Sequence, residues 1–172
     1  MPEESFSYTL RDARPADLPN ILAIYNHYVA NSTVTFDEQP LSLRELRAKF
    51  QHQIKLRMPY LVAESPGGDI LGYASVAPWK PKAAYRYTAE SSIYLGPAAT
   101  GKGLGHALLA ELIERSSAAG LRELIAVIAD QGAEASLALH EGFGFREIGR
   151  MGRVGYKFER WLGTILLQKS LR

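Results

Sequence analysis

Apolar and polar positions recur along the chain with two different periods, and the changes of period divide it into elements. Tyr8 to Arg11 reads as a short first strand. Pro15-Ala-Asp17 then opens an amphipathic helix with Leu18, Ile21, Leu22 and Tyr25 on one face. Ser42 and Glu45 have the spacing of a capping box and predict a second helix running to about Ile54. Tyr60 to Glu64 and Ile70 to Ala77 are apolar, strand-like runs joined by Pro66-Gly-Gly-Asp69, a hairpin signal. Another strand is predicted from about Glu90 to Leu95. A glycine-rich loop follows, then a helix with Leu104, Leu108 and Leu112 on one face, stopped by Gly120. Leu124 to Ala129 is apolar throughout, as in a strand covered on both faces. A shorter helix over about Ala135 to Glu141 ends at Gly142, and two last strands are predicted around Phe145 to Met151 and Thr164 to Lys169. The order β-α-α-β-β-β-α-β-α-β-β predicts an α/β or α+β sandwich on a mixed sheet. No repeat or linker interrupts it, so residues 1–172 are expected to form a single domain.

Composition narrows the chemistry. With 47% hydrophobic and 22% charged residues the balance is that of a globular chain, which argues against wholesale disorder. The absence of cysteine excludes a disulfide scaffold, a cysteine-ligated zinc or iron–sulfur centre and a protein thiolate nucleophile. His27, His52, His106 and His140 are the only histidines, and no two have helical ligand spacing, so no metal is expected. Residues 144–172 hold 7 of the 20 Lys/Arg but 2 of the 18 Asp/Glu. Such a basic segment suits solvent, nucleic acid or an anionic cofactor. The N-terminal MPEESFSYTL has acids where a secretory leader needs bases, and no apolar run approaches spanning length. A soluble, cytoplasmic protein with no membrane partner is expected.

The loop Gly96-Pro-Ala-Ala-Thr-Gly-Lys-Gly-Leu-Gly105 lies between a strand and a helix start, where backbone N–H groups and the helix dipole favour an anion. Three readings compete. Gly96, Gly101 and Lys102 nearly match a nucleotide hydrolase P-loop, and Leu124 to Asp130 imitates its second element. Gly103, however, stands where Ser or Thr would hold Mg²⁺. The glycines also suit a plain turn and helix cap. Thirdly, Thr100-Gly-Lys-Gly-Leu-Gly105 resembles the pyrophosphate loop of the GNAT superfamily of acyl-CoA N-acyltransferases, with Thr100 at a position usually Arg or Gln.

The wider sequence resembles the phosphinothricin and methionine sulfoximine N-acetyltransferase branch of that superfamily, from about Tyr8 to Leu171. The matching segments are Tyr25-Asn-His-Tyr28, Ser32-Thr33, Phe36, Leu61-Val-Ala-Glu64, Gly72-Tyr-Ala74 and Pro78-Trp79. Tyr85-Arg-Tyr-Thr-Ala-Glu90-Ser-Ser-Ile-Tyr94, Gly103-Leu-Gly105, Ser136 with Leu139-His140, Gly142-Phe-Gly-Phe145, Gly155-Tyr-Lys157 and Trp161-Leu162 continue the match in order. Two further departures are Ala133, where the branch often has asparagine, and Gly163, where its Trp-Leu-Asp pattern has aspartate.

The resemblance implies a GNAT fold, with a mostly antiparallel central sheet flanked by helices and the fourth and fifth strands splayed around acetyl-CoA. It also implies transfer of an acetyl group to the amine of a small amino acid or amino-acid-like toxin, by a homodimer that does not bind nucleic acid. Glu90 corresponds to the branch's general base, which an amine that is mostly protonated near neutral pH requires. His140 stands where many members carry a tyrosine acid, and would protonate the departing sulfur or help take up the amine proton. Contacts to acetyl-CoA fall on Ile93, Tyr94, Leu95, Thr100, Gly101, Lys102, Gly103, Leu104, Gly105, His106 and Ser136, with oxyanion and pantetheine contacts at the Tyr94 and Leu95 N–H groups. The acceptor site is expected at Phe36 and along Trp79, Lys80, Lys82, Tyr85 and Arg86, whose cations suit a carboxylate. Because no cysteine is present, an acetyl-cysteine relay is impossible, so amine and thioester must meet in one complex. A catalytically weak acyl-CoA sensor or structural dimer of the same fold is the alternative.

Overall fold

Seven strands take up the alternating runs: β1 (Thr9–Asp12), β2 (Tyr60–Glu64), β3 (Ile70–Pro78), β4 (Thr88–Leu95), β5 (Glu123–Ala129), β6 (Arg146–Lys157) and β7 (Arg160–Ser170). In this computed structural model, which describes residues 5–172, they form one sheet in the order β1-β2-β3-β4-β5-β7-β6. Glu3 and Glu4, part of the reading of the N-terminus, lie outside the described residues. Every pairing is antiparallel except β4 with β5. The four helices are α1 (Leu18–Asn31), α2 (Leu43–Lys55), α3 (Leu104–Ala118) and α4 (Glu134–Gly142). No described helix is long and apolar enough to cross a membrane.

Period-2 alternation sorts the strand side chains between two cores. On β2, Tyr60 and Val62 pack with Leu18, Ile21, Leu46 and Phe50 of α1 and α2, whereas Leu61 and Ala63 pack with Leu104, Leu108 and Leu112 of α3. The three α3 leucines are fully buried, each stabilising the fold by about 2 kcal/mol. The capping box of α2 forms as the sequence predicts: Glu45 N–H donates to Ser42 Oγ at 3.1 Å, and Ser42 N–H donates to Glu45 Oε1 at 3.3 Å.

The central strands part company midway. β4 and β5 pair only at Thr88–Glu123, Ala89–Leu124 and Glu90–Ile125. Beyond that rung β4 stays with β3 as far as the Gly72–Leu95 pair, and β5 stays with β7 as far as Ala129–Thr164. The two strands therefore diverge, opening a wedge in the sheet.

The C-terminal hairpin is longer than the apolar pattern suggests. β6 and β7 run to a two-residue turn at Phe158-Glu159, both left-handed with φ of 52° and 59°. That is a hairpin turn made without glycine or asparagine, so it carries no local signal. Register shifts between Glu147 and Gly149 and between Met151 and Gly155 interrupt the alternation of β6.

Candidate functional site

A cavity of about 830 Å³ follows the wedge, reaching from residues of α1 and α2 at one end to the glycine loop before α3 at the other. At the loop end it is lined by Thr100, Gly101 and Gly105. Gly101 and Gly103 have φ of +74° and +82°, a conformation that glycine adopts without steric cost. Gly103 is the N-cap of α3 and supplies no side-chain cap, so the first-turn N–H groups are left to meet an anion. Lys102, Leu104 and His106 stand beside the cavity rather than on its lining. Lys102 Nζ lies 4.9 Å from the centroid of the Phe6 ring, Leu104 is buried in the core, and His106 packs on Phe143 at 4.6 Å.

In the wedge, backbone direction decides which groups are available. Gly96 N–H donates to Leu71 O at 2.8 Å and Trp79 N–H to Thr88 O at 3.3 Å, which sets the even-numbered residues of β4 toward β3. The Tyr94 N–H is thus committed to β3. Ile93 and Leu95, past the last rung shared with β5, turn their N–H groups into the wedge. The Leu95 carbonyl is already engaged by the Tyr28 hydroxyl.

Glu90 ends the shared part of β4 and points to the α1/α2 face with Ser92 and Tyr94, opposite Ala77, Ser75 and Tyr73 of β3. It is half-buried, and burial raises its pKa above the ordinary 4.5 while Lys80 pulls it back. Around it stands a group of phenols: Tyr94 meets Tyr25, Tyr28 and Tyr73 at centroid distances of 5.4, 5.5 and 5.5 Å. Burial raises all four hydroxyls, that of Tyr94 to about 12, so they are neutral donors at physiological pH.

His140 and Ser136 reach the opposite wall from α4. His140 Nδ1 sits 2.7 Å from the Ser136 carbonyl, which can only accept, so Nδ1 carries the proton and Nε2 has the free lone pair. Burial lowers the pKa of this imidazole below 6.5, leaving it neutral near pH 7.

Phe36 lines the cavity, but Trp79, Lys80, Lys82, Tyr85 and Arg86 do not. Their loop folds on itself: Lys80 lies over the Trp79 ring at 4.8 Å, and Arg86 lies over Tyr87 at 4.6 Å while donating to Ala83 O at 3.0 Å. Lys80 alone of this group acts electrostatically on Glu90. Lys49, on α2, is the cation on the lining. Sequence reading passes over it because a lysine on an amphipathic helix reads as solvated. Thr35 and Thr164 also line the cavity without a distinguishing signal, and Tyr28 and Tyr73 line it too, from the matched segments Tyr25-Asn-His-Tyr28 and Gly72-Tyr-Ala74. At Gly163 the space of a side chain is filled by Asp130, whose Oδ1 accepts from Gly163 N–H at 3.0 Å and whose Oδ2 would lie 2.5 Å from an added Cβ.

Comparison with known proteins follows these features. A family model described as an acetyltransferase (GNAT) domain matches residues 10–166. The chain is 44% identical over 163 residues to a phosphinothricin N-acetyltransferase of Alcaligenes faecalis, covering 95% of this chain and 82% of that one. It is 44% identical over 165 residues to an L-methionine sulfoximine/L-methionine sulfone acetyltransferase of Pseudomonas aeruginosa, covering 96% and 95%. The crystal structure of a GNAT superfamily phosphinothricin acetyltransferase from Sinorhizobium meliloti, in complex with acetyl-CoA, superposes with a TM-score of 0.91 at 43% identity, covering 96% of this chain and 89% of that one.

Proposed function

The chain belongs to the GNAT acetyltransferase family, and we propose that it moves the acetyl group of acetyl-CoA directly to the α-amine of a small amino acid or amino-acid-like compound within one ternary complex. The observation that carries this reading is the wedge: a half-buried carboxylate at the last shared rung, free N–H groups just beyond it, and an uncapped helix start at the far end. Acetyl-CoA supplies a thioester carbonyl for the amine to attack and a thiolate to leave.

The residues present fit such a molecule. Its pyrophosphate suits the N–H groups from Thr100 to His106, with Lys102 adding charge nearby; Leu104 contributes only its backbone, because its side chain is buried. The Ile93 and Leu95 N–H groups face the pantetheine and thioester, and Ser136 flanks them from α4. Glu90 takes the proton of the acceptor ammonium, a task helped by its raised pKa. Neutral His140, with a lone pair on Nε2, favours proton uptake over donation to sulfur. At the acceptor end, Phe36 and the tyrosines offer apolar and aromatic surface, while Lys49 on the lining and Lys80 beside Glu90 suit a carboxylate. Lys82, Arg86, Trp79 and Tyr85 extend that surface outside the cavity. The two relatives at 44% identity, named for phosphinothricin and for methionine sulfoximine and sulfone, support that acceptor class.

A homodimer is part of the reading. The β6–β7 hairpin exposes Ile148, Met151, Val154 and Tyr156 along the edge strand β6, with Phe158 in its turn and Trp161 at the start of β7, each about half exposed. A long apolar edge is an aggregation hazard unless covered, and a second copy covers it symmetrically.

Thiol release from acetyl-CoA, measured with a panel of amino acids, phosphinothricin, methionine sulfone and methionine sulfoximine, tests the function. Acceptor-dependent turnover is expected with at least one of them. Binding of acetyl-CoA without any amine-dependent release would favour the sensor.

A further inference from the structure

Among the described basic residues of the C-terminal segment, Lys157 alone is buried, at 2% exposure on the last position of β6. An ammonium stays in such a place only when its donors are used. Lys157 Nζ donates to Ser32 O at 2.7 Å and to Thr35 O at 2.8 Å, and it stands 5.0 Å from the centroid of the Phe158 ring. The two carbonyls bracket the loop that leaves α1, a stretch outside any helix or strand ladder. Within it Val34, Thr35 and Phe36 line the cavity. The same strand supports the loop a second time: a Cβ on Gly155 would come 2.5 Å from Phe36 Cε2, so the ring lies directly on that glycine. Thr35 Oγ1 in turn is 3.0 Å from the Tyr25 hydroxyl, which also donates to Asp37.

We propose that Lys157 is a positioning residue for the acceptor: its ammonium ties the loop of residues 32–37 to β6 and so sets where Thr35 and Phe36 meet the acceptor. This rests on the transferase reading above. Lys157 is not on the cavity lining and touches none of the wedge, so the role is carried entirely through the loop.

The experiment compares Lys157→Met and Lys157→Arg with the unmodified protein. It records kcat and KM for the best acceptor, the dissociation constant for acetyl-CoA by calorimetry, and amide hydrogen exchange in residues 32–37. Lys157→Met is expected to raise acceptor KM by about tenfold with kcat at saturation and acetyl-CoA affinity nearly unchanged, and to speed exchange in the loop. Lys157→Arg, which keeps a cation and donors, should recover part of the KM. Unchanged KM in a Lys157→Met protein that still binds acetyl-CoA overturns the proposal, as does unchanged loop exchange. Should Lys157→Met fail to fold, Gly155→Ala displaces Phe36 by one methyl group; an acceptor KM unchanged in that variant overturns the proposal equally. An unmodified protein that binds acetyl-CoA but acetylates no amine refutes the transferase reading, whereas accelerated exchange on loss of Lys157 still reports the tie itself.

Discussion

Glu90 and His140 are moved from their ordinary titration ranges in opposite directions by the same cause, burial. The rise makes the Glu90 carboxylate a stronger base toward an ammonium proton, and the fall keeps the His140 imidazole neutral with a lone pair to receive one. Glu90→Gln is therefore expected to lower kcat by about 10²–10³-fold at neutral pH while sparing acetyl-CoA affinity, and to remove the acid limb of the kcat/KM profile. Near wild-type turnover in that variant would show that Glu90 is not the base. The same raised pKa has a cost in stability. The folded protein holds the Glu90 proton more tightly than the unfolded chain, so stability present below the unfolded pKa of about 4.5 is lost as pH rises through the folded value. Glu90→Gln should accordingly raise Tm at about pH 8 and leave it nearly unchanged at about pH 4. At this scale Glu90 and His140 are legible from the sequence because short motifs surround them. Lys49 is not, because a lysine on a helix face is ordinarily solvated and this one stays exposed while lining the cavity. Lys157 falls in the matched segment Gly155-Tyr-Lys157, but its interior task is set only by the packing of the distant loop after α1 against β6.

The elements show a similar division. The helices and the strands from β1 to β5 follow the periodicity of the chain to within a residue or two, except that Pro15–Asp17, expected to open the first helix, forms a 3-10 turn ahead of α1 at Leu18. The wedge is not in that pattern. It arises because β4 and β5 each keep a longer pairing on the outer side, β4 with β3 and β5 with β7, while the short ladder they share joins positions as distant in the chain as Thr88 and Glu123. The Phe158-Glu159 turn is hidden for a local reason: both residues occupy the left-handed region that asparagine and glycine normally fill. Glu159→Gly, at φ 59°, relieves that conformation at an exposed site and should stabilise the protein by about 0.5–1 kcal/mol in urea denaturation. A loss of stability would mean that the turn is held by its side chains. Gly163 makes the converse case. Its difference from the branch's aspartate reads as a lost polar group, yet Asp130 reaches the same space from the end of β5, so a carboxylate remains there.

Across the whole molecule, the β6–β7 hairpin joins two properties that the sequence presents separately. Its outer side carries Tyr156 and Trp161, ring centroids 5.0 Å apart and both about half exposed, while its inner side holds Lys157 and Gly155 against the loop of residues 32–37 that lines the cavity at the proposed acceptor end. The wedge proposed to receive acetyl-CoA is formed by β4 and β5 with α3 and α4 beside it, and of the hairpin only Thr164, where β7 pairs with Ala129 of β5, is on the cavity lining. Covering the hairpin with a second copy would therefore steady the acceptor end without altering the acetyl-CoA end. Trp161→Lys places a charge in the apolar patch and is expected to halve the mass in light scattering, since an unpaired charge buried at an interface costs several kcal/mol. In that monomer, acetyl-CoA affinity should stay within about twofold while acceptor KM rises, because the turn end of the hairpin, where Trp161 stands, holds the loop of residues 32–37 and lies beyond the β5–β7 ladder. A protein that is monomeric before substitution would remove the dimer from this picture. A variant that loses acetyl-CoA affinity as well would show that the hairpin supports the wedge too, contrary to the division of labour among these strands.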